Sequence, residues 1–142
     1  MKALKPVAAA VMFSVYGFQA LAQTNALEEV IVTATNEFVT RPIADAFGVH
    51  ELIAIELVRD AQGEYTGDIL GTPSFREGKV TRVEAWLAVR DLKWQDVETT
   101  FYSDSMNDLS LLDRATHPVA TNPDERLRQL ATERGWRILD LF

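Results

Sequence analysis

The chain is 142 residues long, 47% hydrophobic and free of cysteine, which bounds it to one domain with a real core and excludes disulfide and thiolate chemistry. Its formal net charge of -7 argues against a nucleic-acid binder, because affinity for a phosphate backbone comes from Lys and Arg. An anionic small molecule is not excluded, since a bound cation inverts the local field.

The first residues differ from the rest. Lys2 and Lys5 are the only charges before Glu28, Pro6 to Phe18 is an apolar run, and Ala20-Leu21-Ala22 follows. A basic start, a short apolar stretch and an A-x-A site are the marks of a secretory signal peptide. The run is too short for a membrane span, which needs about 20 residues. The expected organisation is therefore a signal peptide over residues 1–22, a short leader over 23–28 and one domain over 29–142.

From there strand-like and helix-like segments alternate. Glu29 to Thr35 is β-branched and apolar, as a buried strand should be. Phe38, Ile43, Ala46 and Phe47 recur near helical spacing, and Gly48 sits where a helix would end. Leu52 to Val58 and Tyr65 to Leu70 read as a hairpin around Ala61-Gln62-Gly63. Glu77 to Leu92 reads as a helix with Val80, Val83, Trp86 and Leu87 inward. Thr99 to Ser103 is a strand running into Asp104, and Asp108 to Ala115 a short helix. Pro118 to Thr121 is a strand, and Asn122-Pro123-Asp124 a turn and N-cap. Asp124 to Arg134 is then a helix and Arg137 to Leu141 a last strand. Strands separated by helices of this length predict an α/β fold with a mostly parallel sheet. Ligands of such sheets bind beyond the carboxyl ends of the strands.

Three places on those ends carry chemistry. Asp104 and Asp108 follow an apolar strand, and a hard cation such as Mg²⁺ takes carboxylate oxygens there; acidic helix caps give the same pattern. Thr33 to Asn36 puts hydroxyls beside a helix start, where phosphate oxygens are readily cradled. Lys79 follows Gly78 at another helix start, where a cation opposes the helix dipole and so suggests a reason other than helix stability. His50 and His117 lack metal-ligand spacing, Trp86, Trp94 and Trp136 read as packing residues, and no Gly-rich phosphate loop or HExxH is present.

Taken in order, these signals resemble the second, third and fourth motifs of the haloacid-dehalogenase superfamily, in its phosphoserine-phosphatase-like branch of subfamily IB hydrolases. Val30-Ile31-Val32-Thr33, Lys79 and the Asp104/Asp108 pair with Asn107 carry the likeness, as do the strings Thr33 to Ala44, Tyr102 to Leu109 and Asn122 to Leu127. The resemblance implies a Rossmann-like parallel sheet with flanking helices and phosphomonoester hydrolysis through an aspartyl-phosphate. It assigns Thr33 and Asn107 to the phosphate, Lys79 to charge neutralisation, and Asp104 and Asp108 to Mg²⁺. The partner implied is a small phosphorylated metabolite, with no nucleic acid and no stable membrane span.

The first motif of these proteins, Asp-x-Asp-x-Thr on the central strand, has no counterpart here. No Asp precedes Thr33, and the only acids before it are Glu28 and Glu29. The cap that normally follows that motif is missing as well. The expectation is a sheet lacking its nucleophile strand, with the Thr33 and Asp104 strands facing each other as unpaired edges, and a chain inactive alone. Ala22 to Thr35 also resembles the mature N-terminus of TonB-dependent outer-membrane receptors. That implies a second reading, an exported, non-catalytic phosphate-ester-binding or TonB-interacting protein whose Glu28 to Thr35 strand pairs with a partner. The leader points to the periplasm, the family resemblance to the cytoplasm.

Overall fold

In a computed structural model the chain is described at residues 28–142 and along the backbone of Lys5–Ala10. Its strands are β1 (Lys5–Ala10), β2 (Glu28–Asn36), β3 (Glu51–Arg59), β4 (Tyr65–Leu70), β5 (Val97–Ser103), β6 (His117–Thr121) and β7 (Arg137–Leu139). The helices are α1 (Glu37–Ala46), α2 (Glu77–Ala88), α3 (Leu109–Leu112) and α4 (Glu125–Arg134). The strands form one sheet in the order β4-β3-β2-β1-β5-β6-β7, parallel except where β4 folds back antiparallel on β3. The α/β parallel sheet with flanking helices expected from the alternation is the fold observed.

The expected gap is not there. Between the Thr33 strand and the strand leading to Asp104 lies β1, with Val7–Ala10 in register with Glu28–Ile31 on one side and Lys5–Ala10 with Val97–Tyr102 on the other. The physical reason is compositional. Lys-Pro-Val-Ala-Ala-Ala carries the basic-then-apolar pattern of a leader, yet a small, apolar strand is also what a central position with neighbours on both edges accepts. The rest of the expected signal peptide, including the site after Ala22, lies outside the described residues.

The core sits on one face of the sheet. Val30, Val32, Ile53 and Phe101 point there and meet Val83 and Leu87 of α2, Leu111 and Leu112 of α3, and Leu127 and Ala131 of α4. Helix boundaries follow from local chemistry. The Asn36 side chain caps α1 by accepting from the Val39 amide (3.0 Å), and Asp124 caps α4 by accepting from Leu127 (2.8 Å). Helix α2 stops at Ala88, short of the expected Leu92, as the chain turns through Asp91 at φ 55. Helix α1 has the expected apolar spacing but not the expected burial: only Ala44 is enclosed, while Val39, Ile43 and Phe47 are about half exposed.

Glu51 ties the start of β3 to α2, accepting from Trp86 Nε1 (2.7 Å) and pairing with Arg90 Nη2 (2.8 Å). The Trp86 hydrogen bond, with Arg90 behind it, holds this carboxyl below its ordinary value against partial burial. A carboxyl depressed by folding stabilises the fold above its unfolded pKa and ceases to do so as pH falls through its folded value. Glu51→Gln is therefore expected to lower the urea midpoint at neutral pH. It should also flatten the further decline below the ordinary glutamate value of 4.5, as urea titrations on both sides of that pH would show.

Candidate functional site

The carboxyl end of β5 delivers Ser103 and Asp104, after which a 3-10 turn (Met106–Asp108) leads directly into α3. That turn aims Asp108 back into the protein, where it is 4% exposed. One oxygen of its carboxylate meets Lys79 Nζ at 2.5 Å, and the other accepts from Ser103 Oγ at 2.8 Å. Ser103 Oγ in turn accepts from the Ser105 amide (3.1 Å), and Ser105 Oγ from the Asn107 amide (3.2 Å). A buried ammonium, a buried carboxylate and a hydroxyl thus form one closed network. Each charge is paired, the condition under which burying them is tolerable.

Lys79 reaches this place because of how α2 begins. Arg76, the residue before the helix, adopts φ 50 and ψ -123, a sparsely populated conformation for a side-chain-bearing residue and a form of strain that clusters at functional sites. At Gly78 a Cβ would stand 2.0 Å from the Pro73 carbonyl oxygen, so only glycine lets the loop fold this tightly onto the helix start. The opposition between a lysine and the helix dipole is met by Asp108, which leaves Lys79 only 3% exposed. Gly78→Ala is expected to push the loop off α2, costing about 1–3 kcal/mol as other overpacked sites do. Urea unfolding would measure the loss, and an unchanged midpoint would contradict the close approach.

Asp104 stands beside this network and has no side-chain partner among the described hydrogen bonds. Partial burial raises its pKa, a backbone N–H opposes that, the Asp108 charge adds to the rise, Lys79 works against it, and Asp124 adds a little. Thr33, 3% exposed, is at the end of β2 with its Oγ1 accepting from the Thr35 amide (3.1 Å). Because Ala10 is level with both Ile31 and Tyr102, Thr33 and Asp104 stand at one height, two strand spacings or about 10 Å apart. Asn107 lies exposed at the rim. Five residues singled out from sequence are therefore at one end of the sheet. Direct contact exists between Lys79 and Asp108, and no hydrogen bond joins Thr33, Asn107 or Asp104 to that pair. Ser103 was not singled out; a hydroxyl one residue before the strand-end Asp was its only sequence signal.

The donors give a divided answer about Mg²⁺. A half-buried carboxylate whose charged form burial disfavours, as at Asp104, is one that a cation would satisfy. Asp108 has both oxygens engaged by Lys79 and Ser103, and among the described residues no three carboxylate or imidazole groups gather as a ligand set. Magnesium asks for octahedral oxygen coordination and retains waters readily. Of the two carboxylates, Asp104 is therefore the one whose oxygens are left to a cation, and Asp108 is engaged by Lys79 and Ser103.

Residues 3–113 match the family of haloacid dehalogenase-like hydrolases. The chain is 45% identical over 114 residues to a histidinol-phosphatase of Neisseria meningitidis, a match covering 80% of this chain and 51% of that protein. It is 37% identical over 113 residues to a phosphoserine phosphatase of Mycobacterium tuberculosis, covering 78% of this chain and 35% of the relative. Among solved structures, a Bordetella pertussis protein of unknown function superposes with a TM-score of 0.79 at 55% identity, over 82% of this chain and 52% of the other. The chain thus spans about half the length, or less, of the proteins it resembles.

Proposed function

The chain belongs to the haloacid dehalogenase-like hydrolase family, and from that premise we propose that it is the phosphoryl-binding portion of a Mg²⁺-dependent phosphomonoester phosphatase, without turnover of its own. The observation that carries the reading is the buried Lys79–Asp108–Ser103 network at the carboxyl end of β5, beside Asp104 and level with Thr33. A phosphoryl group arriving there would meet the Thr33 hydroxyl and the positive field of Lys79, with Asn107 at the rim. The cation, when bound, neutralises charge on the phosphoryl oxygens. Asp108 pairs with Lys79, and Ser103 fixes the Asp108 carboxylate so that the ammonium keeps one position.

Hydrolysis in this family passes through an aspartyl-phosphate, so it needs a carboxylate on the central strand. Residues 1–27 contain neither Asp nor Glu, which supports the proposal of an inactive chain. Small phosphorylated metabolites are the proposed ligands, in keeping with the names of the two phosphatase relatives. For localisation the leader pattern points to the periplasm, but a chain processed after Ala22 would lose β1, so the form that keeps β1 is proposed to be cytoplasmic, as the family resemblance implies. The TonB-interacting reading has less support, because β2 already has β1 and β3 on its two edges and a pairing partner would have to displace one of them.

The test has two readings. With Mg²⁺ present, p-nitrophenyl phosphate should be hydrolysed no faster than in buffer; turnover that Lys79→Met abolishes would overturn the proposed inactivity. Inorganic phosphate with Mg²⁺ should raise the Tm of the chain, and Thr33→Val should reduce that rise. No rise in the unaltered protein would overturn phosphoryl binding.

A further inference from the structure

Between α1 and the β3–β4 hairpin lies a groove of about 460 Å³, within the size range of small-molecule sites. Phe38, Arg41 and Pro42 form its helical wall, spaced so that they share one side of α1. Leu57, Arg59 and Tyr65 face them from the hairpin. These groups come from the first turns of α1 and the last residues of β3. The groove therefore lies at the carboxyl end of the sheet, where ligands of such sheets bind. Neither Thr33, Lys79, Asp104 nor Asp108 lines it, so it is a place of its own.

The aromatic part of the wall is already arranged. Arg59 and Tyr65 are register partners across the hairpin, and the Arg59 guanidinium carbon stands 3.9 Å from the centre of the Tyr65 ring. Arg59 Nη2 donates to Tyr65 Oη (2.5 Å) and Nη1 to the Gly63 carbonyl (2.7 Å), which fixes both side chains. Phe38 meets the same ring edge-on at 5.6 Å and is still 67% exposed, so the core does not use it. Charge then narrows the ligand. Four charged side chains line the groove, and three of them are paired. Glu37 holds Arg41 (3.1 Å), and Glu56 holds Arg82 (2.6 Å). Arg59 has no carboxylate partner among the described residues; Asp60, next to it in the chain, accepts from the Gln62 and Glu64 amides (2.9 Å each). A guanidinium carries five N–H donors, so three of those on Arg59 remain for a ligand.

We propose that this groove binds a flat aromatic carboxylate, its ring against Phe38 and Tyr65 and its carboxylate on Arg59. A third ring extends the edge-on pair that is already present, and a planar guanidinium matches a carboxylate in its own plane. A cationic ligand would meet Arg59 with like charge, and an aliphatic acid would forgo the aromatic contacts. The inference rests on the groove alone and stands or falls separately from the phosphatase reading.

Calorimetric titration of the full chain tests it, with 2-naphthoate as the probe and 2-naphthalenemethanol as its uncharged counterpart. The unaltered protein should bind the acid at one saturable site and the alcohol about tenfold more weakly, the difference that one charge-assisted contact makes. Arg59→Met should erase that difference. Phe38→Ala, which removes an exposed ring, should weaken both probes several-fold. Inorganic phosphate with Mg²⁺ should leave the affinity for 2-naphthoate unchanged. Acid and alcohol bound alike by the unaltered protein would overturn the assignment, as would no saturable binding at all. So would a difference that survives Arg59→Met, full affinity in Phe38→Ala, or displacement of the acid by phosphate.

Discussion

A chain shortened to begin at Gln23 is expected to lose cooperative unfolding and to aggregate rather than persist as a slightly weaker version of the same fold. The shortening removes β1, which is hydrogen-bonded along both edges. Losing an edge strand exposes one row of backbone groups; losing this one leaves β2 and β5 about 10 Å apart with two facing rows unpaired. The core is divided at the same line, because Val30 and Val32 stand on one side of β1 and Val97 and Phe101 on the other. The chain can close the two halves together only by moving α2, whose Val83 and Leu87 pack across both. A broad, non-sigmoidal urea transition and elution as large species are the expected readings. A monomer with an unchanged, sharp transition would show that β1 contributes nothing to the sheet.

Most of the architecture was legible because periodicity and punctuation agreed. The strand over Glu29 to Thr35, the hairpin ending at Tyr65 to Leu70 and the helix capped by Asp124 all appear within a residue or two of their expected bounds. β1 was not legible, and the reason is physical. A central strand flanked on both sides is selected for small size and apolarity, and an export leader is selected for the same qualities with a basic start. Local pattern does not separate the two; only the pairing of Lys5–Ala10 with partners far along the chain does. The site was legible as residue types and not as a network. Spacing pointed to Lys79, Asp104 and Asp108, yet it showed neither that Lys79 is buried against Asp108 nor that Ser103 occupies the second carboxylate oxygen. Gly78 looked like an ordinary helix-start residue, and its necessity comes from the Pro73 carbonyl, a contact five residues back that no periodicity reveals.

Lys79→Met is expected to be the most damaging single substitution at the site, for stability as well as for phosphate. Methionine fills much of the lysine stem's volume, so the packing loss is small. What is lost is the partner of a carboxylate whose side chain is 5% exposed. Breaking a buried pair on one side typically costs about 3–5 kcal/mol, since the remaining charge is left uncompensated. Asp108 would keep only the Ser103 hydroxyl as a side-chain partner. Asp108→Asn alone should also destabilise, because it strands the Lys79 ammonium. Joined with Lys79→Met it should restore part of what either change removes, giving a coupling of about 1–3 kcal/mol, as for residues in one network. Urea unfolding of the four proteins supplies that cycle, and additive losses would mean that the 2.5 Å pair carries no net interaction. Stability recovered in the double variant should not bring back the phosphate-induced rise in Tm. Lys79 then separates the two tasks of one network, because the fold needs only that its charge be matched or absent, whereas a phosphoryl group needs the charge itself.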